Sequence, residues 1–236
     1  LIGSPGRLLL LEGAVYEISS PLQDLGHYPG EVFCDDWIKT MKQESTTMTA
    51  RTSEIYPLII NEVLVPGCPG AIGITFCPGK KDRHSNTGIW ERDLEADMES
   101  IRAWGTTCLV TLMEDHEFDQ LGVRQLPFKA QEVGLTWFHI PIPDVSIPDF
   151  RFHERWSGIG LRLMNVLLAG EKVVVHCRGG LGRSGIVAAL LLIEAGMDSR
   201  EAVDMVRAAR QGAIETIQQE AYVRGYRAML PVERAG

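Results

Sequence analysis

Three observations predict an α/β fold with a mostly parallel central sheet flanked by helices. Short β-branched or aliphatic runs alternate with stretches whose apolar residues recur at helical spacing, and that alternation favours crossover connections and parallel strands. The most apolar of these runs, Lys172-Val173-Val174-Val175-His176-Cys177, passes through a glycine-rich turn into Ile186-Val187-Ala188-Ala189-Leu190-Leu191-Leu192-Ile193, which reads as buried strand, tight turn and buried helix. Finally, 236 residues of 45% apolar content support one core of ordinary domain size with some surplus. The domain is placed at residues 55–236, after an N-terminal extension over residues 1–54.

That extension is broken by Pro5, Pro21 and Pro29, and Lys39 to Thr47 is a polar run of linker character. It is read as poorly ordered chain, with a docking arm as the other reading. From Tyr56 the pattern changes. Leu58-Ile59-Ile60 and Val63-Leu64-Val65 read as strand, and Ala71 to Phe76 as another, with Pro66-Gly67 and Pro69-Gly70 marking turns. Gly79-Lys80-Lys81 suggests a nucleotide-binding loop, but the spacing from Gly73 is wrong and Lys81 stands where Ser or Thr is needed. Lys80, Lys81 and Arg83 are therefore read as a solvated basic face, ahead of a face turned to an anionic substrate.

Leu94, Met98 and Ile101 fall on one side of a helix that Gly105 stops. Thr107 to Met113 is a strand with Cys108 in the core. Glu114, Asp115, His116 and Glu117 follow at its C-terminal end, where open α/β sheets place their crevice, and are read as a solvated loop because metal-ligand spacings are missing. A short helix from Pro127 to Val133 leads to a strand over Leu135 to Ile140. The loop from Pro141 to Asp149 is stiffened by three prolines and carries Asp144 and Asp149. Trp156, Ile159, Leu163, Val166 and Leu167 mark a long helix closed by Gly170. Beyond the glycine-rich turn, Asp198-Ser199-Arg200-Glu201 and Thr216-Ile217-Gln218-Gln219 look like capping boxes opening the last two helices.

The formal charge of −8 argues against nucleic acid as a bulk partner. Five cysteines, Cys34, Cys68, Cys77, Cys108 and Cys177, form no CxxC pair, and their odd number suits a reducing, cytoplasmic setting better than a disulfide framework. The Leu8–Leu11 run is too short for a signal core, and no stretch is long enough for a membrane span. Opening on Leu1 in place of Met marks the chain as a candidate piece of a longer or processed protein.

The chemistry is concentrated between His176 and Gly185. A glycine-rich turn entering a helix aims successive N–H groups at one point, and with the helix dipole behind them they form a seat for a phosphate-like dianion. The turn is Arg178-Gly179-Gly180-Leu181-Gly182, flanked by Cys177 and Arg183. The same groups favour a thiolate at Cys177. Arg183 adds a planar fork for two phosphate oxygens, and Ser184 can donate a hydrogen bond to the departing sulfur. A leaving group needs a proton, for which Asp144 is the natural donor and Asp149 its competitor.

His-Cys, five residues of which three are glycine, then Arg-Ser, resembles the signature of the cysteine-dependent protein tyrosine and dual-specificity phosphatases. From Ile74 to Leu230, about two-thirds of the chain, the sequence is similar to the kinase-associated phosphatases that act on cyclin-dependent kinases. Thr107 to Met113, Pro141-Ile142-Pro143-Asp144, His176 to Gly185, and Gly212-Ala213-Ile214-Glu215-Thr216-Ile217-Gln218-Gln219 carry this similarity. The resemblance implies a protein tyrosine phosphatase-like fold, Cys177 as nucleophile, Arg183 as phosphate binder, Asp144 as general acid and His176 as a residue that orients the loop and lowers the thiol pKa. It implies no metal or organic cofactor, and a phosphorylated protein, such as a kinase, as partner.

Two positions depart from relatives. Some tyrosine phosphatases place a water-positioning Gln where this chain has Glu215, leaving Gln219 as a possible substitute. Arg178 follows the nucleophile directly, where it could line the pocket lip and favour extra negative charge. With Lys80 and Lys81, it supports the alternative of a phosphoinositide or small-molecule phosphatase; a catalytically silent phosphate-recognition module is the alternative from another class, and sulfur transfer is more distant.

Overall fold

The central strand of the sheet carries Cys177 at its end, and the rest of the architecture explains how it is held. The computed structural model describes residues 7–11, 14–18, 50–85 and 87–231. The chain divides into two units, Leu1–Thr47 and Met48–Gly236. Of the first, the structure describes an antiparallel hairpin of β1 (Arg7–Leu11) and β2 (Ala14–Ile18), with Arg7 opposite Ile18. The remainder of the segment read as poorly ordered or docking, up to residue 49, lies outside the described residues.

The second unit is built on a five-stranded sheet. Its strands in chain order are β3 (Asn61–Leu64), β4 (Ala71–Phe76), β7 (Thr106–Thr111), β8 (Thr136–His139) and β9 (Lys172–Cys177), and their spatial order is β3-β4-β9-β7-β8. Only β3 runs antiparallel to its neighbour; β4, β9, β7 and β8 are parallel, as the alternation of strand and helix predicts. Two short strands, β5 (Lys81–Asp82) and β6 (Trp90–Glu91), pair outside this sheet. The strand expected over Leu58 to Val65 is shorter, because Leu58, Ile59 and Ile60 lie outside the ladder.

Side chains alternate across the sheet, so each strand feeds two layers. Val173, Val175 and Val110 pack toward α4 (Phe150–Leu168), α5 (Gly182–Glu194), α6 (Ser199–Ala209) and α7 (Ile217–Gly225). Val174 and Leu109 pack toward α1 (Leu94–Ala103), α2 (Asp115–Gln120) and α3 (Leu126–Glu132). Helix α5 is buried along its whole length, which is why its sequence is apolar without a polar face. Each fully buried aliphatic side chain there contributes roughly 1.5–3 kcal/mol.

The helix caps follow local chemistry. Asp93, Asp149 and Asp198 accept backbone N–H groups at the starts of α1, α4 and α6, and Thr216 with Gln219 forms a reciprocal capping box at α7. Two expectations are corrected. The Glu114–Glu117 stretch is not a loop: Asp115 to Gln120 is helical, and Glu117 is buried while Asp115 and His116 stay exposed. Lys80 is not on a solvated face, being 4% exposed beneath the Trp90 ring, whereas Lys81 is exposed.

Candidate active site

Strand β9 delivers Cys177 to the C-terminal edge of the sheet, between β4 and β7, and the chain turns through Arg178 to Leu181 into the N-terminus of α5. Gly180 has a φ of 67°, and a Cβ there would collide with the backbone of Thr75 and Phe76 at the end of β4. Its N–H donates to Cys177 Sγ at 3.2 Å. The Gly179 carbonyl, on the same peptide, is held from the other side by Arg210 Nη2 at 3.0 Å. A trans peptide sets its C=O and N–H in opposite directions, so Arg210 turns the Gly180 amide toward the sulfur. Arg210 Nε treats the Gly180 carbonyl in the same way, and its Nη1 reaches Asn61 Oδ1 at 2.6 Å. Cys177 is 3% exposed and borders the hydrophobic core, while its sulfur accepts the Gly180 N–H of the turn.

Arg183 is 2% exposed and is held by Glu117, also 2% exposed. Its Nη1 donates to Glu117 Oε2 at 2.5 Å and its Nη2 to Glu117 Oε1 at 2.9 Å, a bidentate fork; Nη1 also meets the Ile142 carbonyl at 3.2 Å. Glu117 Oε2 further accepts the Glu114 N–H at 2.8 Å, so α2 is pinned to the strand end that precedes it. Burial opposes the charge on Arg183, but the Glu117 bond, the Cys177 sulfur and Asp144 outweigh it, and the guanidinium pKa is raised.

Asp144 completes the group. Its Oδ1 lies 2.7 Å from Arg183 Nη2, while the side chain is 51% exposed. The acid loop is held by Gln219, whose Nε2 donates to the Ser146 carbonyl at 3.0 Å and whose Oε1 accepts the Thr216 N–H at 3.4 Å. Gln219 is buried, with one hydrogen bond at each end of its amide, and that amide borders Gly182 of the turn. Glu215 stands at the cradle itself, where its Oε2 accepts the Gly182 N–H at 2.8 Å. Val145, directly after Asp144, and Ile214, directly before Glu215, have φ of 55° and 58°, a left-handed conformation that is strained for β-branched residues. Asp149 is set apart from this group as the N-cap of α4, accepting the Arg151 and Phe152 N–H groups.

His176 is buried behind the cradle, its Nε2 2.7 Å from Thr111 Oγ1, which also receives Trp137 Nε1 at 2.9 Å. Burial pushes the imidazole down to about 3. Near neutral pH the ring is therefore uncharged. Ser184 is fully buried, and its hydroxyl has no hydrogen-bond partner among the described residues. Arg178, placed on the lip by the sequence reading, spends its Nη2 on Asp82 Oδ2 at 2.8 Å.

The structure brings Arg183 and Asp144 together and sets Cys177 and Glu215 at the same glycine-rich turn, and it adds Glu117, read from sequence as a solvated-loop residue, and Arg210, which the sequence reading did not single out. Glu114 and Glu117 stand three residues apart ahead of the apolar Phe118 and Leu121, a helix-start signal that was available. Arg210 gave none, since a basic residue at a helix end is ordinary dipole chemistry. Among the described residues, no group of three or more His, Cys, Asp or Glu is arranged to hold a metal ion.

Comparison with known proteins agrees with this geometry. Residues 89–197 match a family model described as a polymorphic toxin system, DSP-PTPase phosphatase. The mouse protein named cyclin-dependent kinase inhibitor 3 is 31% identical over 162 residues, covering 68% of this chain and 73% of the relative. Human protein tyrosine phosphatase type IVA 3 is 30% identical over 134 residues, covering 57% and 72% respectively. A crystal structure of kinase-associated phosphatase, with serine replacing its catalytic cysteine, superposes with a TM-score of 0.63 at 28% identity, covering 71% of this chain and 92% of that one. The chain belongs to the dual-specificity phosphatases of the cysteine-dependent protein tyrosine phosphatase class, close to the cyclin-dependent-kinase-associated members.

Proposed function

We propose that this enzyme removes phosphate from tyrosine and serine or threonine side chains of a protein substrate, with a protein kinase as the partner its relatives suggest. The carrying observation is the Arg183–Asp144 contact of 2.7 Å beside a sulfur that accepts the Gly180 N–H. A phosphate binder, a proton donor and a nucleophile thus share one seat.

In this reading the Cys177 thiolate attacks phosphorus, and the bond to the leaving oxygen breaks as Asp144 gives that oxygen its proton. The incoming dianion takes over Arg183 Nη2 from Asp144, freeing the carboxyl to face the leaving group. Arg183 and the loop amides stabilise the charge spread over the three equatorial oxygens. Water then attacks the cysteinyl phosphate; Asp144, now ionised, accepts its proton, and the sulfur leaves toward the unpartnered Ser184 hydroxyl. Glu215, with one oxygen on Gly182 N–H, and Gln219, whose amide also borders Gly182, are the two residues near enough to the turn to orient that water. His176 fixes the loop from behind.

The phosphoinositide alternative has less to rest on, because Lys80 is buried and Arg178 is bound to Asp82, which leaves exposed Lys81 of the basic groups invoked for it. Residues 55–236 are proposed as the catalytic domain. Arg51 and Ser53 also bond to residues at 89–93, so the chain just before this boundary packs on the same unit. Unbridged thiols at Cys77, Cys108 and Cys177 suit a reducing, cytoplasmic setting. Among the described residues, no helix is long and apolar enough to cross a membrane.

Aryl phosphate turnover in the presence of EDTA, followed by a parallel screen of phosphopeptides and inositol phosphates, tests the proposal. Turnover that requires Cys177 and prefers phosphopeptides is expected. Turnover that survives Cys177→Ser would refute it.

A further inference from the structure

Lys80 is a buried ionisable group that this mechanism leaves unused. It follows the turn after β4, and its Nζ sits 3.8 Å from the Trp90 ring centroid and 5.2 Å from that of Phe76. The ammonium donates to the Arg178 carbonyl at 3.5 Å, and the Cys77 N–H reaches the same oxygen at 3.4 Å. Because that peptide is planar and trans, holding the Arg178 carbonyl on this side turns the Gly179 N–H away from Lys80. Lys80 thus treats the first peptide of the phosphate loop as Arg210 treats the next two.

An ammonium withdrawn from water is costly unless an anion answers it. Among the described residues, no carboxylate forms an ion pair with Lys80; Asp82 is bound to Arg178, Asp97 to Arg92, Glu117 to Arg183 and Glu91 to Lys81. The charged groups around it are Cys77 and Asp82 from its own segment and Arg178 and Cys177 from the phosphate loop. The guanidinium groups of Arg51 and Arg92 lie against the outer rings, Trp90 and Phe76. Burial pushes the Cys77 thiol up, so that sulfur stays neutral. With Cys77 neutral and Asp82 bound to Arg178, the sulfur of Cys177, which also acts on Arg183, is the remaining anion that bears on Lys80.

We infer that Lys80 is a positioning residue for the nucleophile, whose buried ammonium fixes the Arg178 carbonyl and stabilises the Cys177 thiolate. The inference rests on Cys177 reacting as a thiolate. Burial brings the amine down to about 8, which leaves it charged, and the coupling active, below about pH 8.

The test is the pH dependence of Cys177 alkylation by iodoacetamide, read by peptide mass in the full chain, for wild type, Lys80→Met and Lys80→Arg. Met keeps the apolar stem against Trp90 and removes the charge, whereas Arg keeps both. The midpoint of thiol ionisation is expected to rise by about one pH unit in Lys80→Met, roughly a tenfold slower reaction below the midpoint, and to stay near wild type in Lys80→Arg. An unchanged midpoint in a folded Lys80→Met protein would overturn the inference.

A reciprocal measurement needs no variant at Lys80. Linkage requires that removing the thiolate by Cys177→Ser lower the Lys80 amine pKa by the same amount, which lysine-selective NMR titration reads directly. A Lys80 titration identical in the two proteins would equally overturn it. Neither measurement uses turnover, so an inactive wild-type enzyme would sink the phosphatase reading while leaving this coupling measurable.

Discussion

Among the described residues two arginines, Arg92 and Arg183, are buried against carboxylates, and they differ in what their partners leave open. Arg92 places Nε and Nη2 on Asp97 at 2.8 and 2.7 Å, and its Nη1 on the Tyr56 carbonyl at 2.6 Å. Asp97 in turn accepts the Gly79 N–H at 2.8 Å. These partners are fixed parts of the fold, so the guanidinium has little left to offer a ligand. Arg183 has the same bidentate arrangement with Glu117, but its Nη2 also faces the half-exposed carboxylate of Asp144. A solvent-accessible carboxylate can be exchanged for a phosphate; a buried one built into the fold cannot. The comparison teaches that burial and pairing alone do not mark a functional arginine, while one replaceable acceptor does.

The largest expected effect separates the two. Arg183→Lys removes the planar fork and should lower kcat/KM by about 10³-fold or more. Arg92→Met should instead cost roughly 3–5 kcal/mol of stability by stranding Asp97, with turnover per folded molecule unchanged. Urea denaturation and aryl phosphate kinetics on both variants check this, and equal activity losses would erase the distinction.

Next comes the replaceable acceptor. Asp144→Asn should cost about 10²- to 10⁴-fold for substrates with poor leaving groups and flatten the alkaline limb of the pH–rate profile. Asp149→Asn, at a helix cap, should leave that limb in place. A third prediction concerns stability. The folded pKa of His176, about 3, lies below the ordinary value of 6.5, so the unfolded chain binds the extra proton between them. The stability tied to a neutral His176 is therefore complete above about pH 6.5 and is lost as pH falls toward 3. Urea midpoints measured across that window should fall less steeply in His176→Gln than in wild type.

Most of the scaffold was legible because it depends on local pattern. Apolar runs bounded by Gly and Pro located β4, β9 and β7, and helical spacing located α1 and α4. The proposed nucleophile, phosphate binder and acid could be singled out because the spacing of Cys177, Arg183 and the proline-bounded Asp144 has few other uses, and the structure sets Arg183 2.7 Å from Asp144. The supporting groups were not. Glu117 and Arg210 lie 66 and 30 residues from the partners they hold, and such pairing is decided by the sheet order, not by neighbours in the chain. Lys80 misled for a related reason: beside Lys81 it reads as surface charge, and only the packing of Trp90 over it removes it from water.

The most direct measurement of the central claim is acid quench of a single turnover with an aryl phosphate in EDTA, followed by peptide mass analysis. Phosphate carried by the peptide containing Cys177, absent in Cys177→Ser and accumulating further in Asp144→Asn with a good leaving group, is the predicted result. Product released without any such adduct would contradict the account.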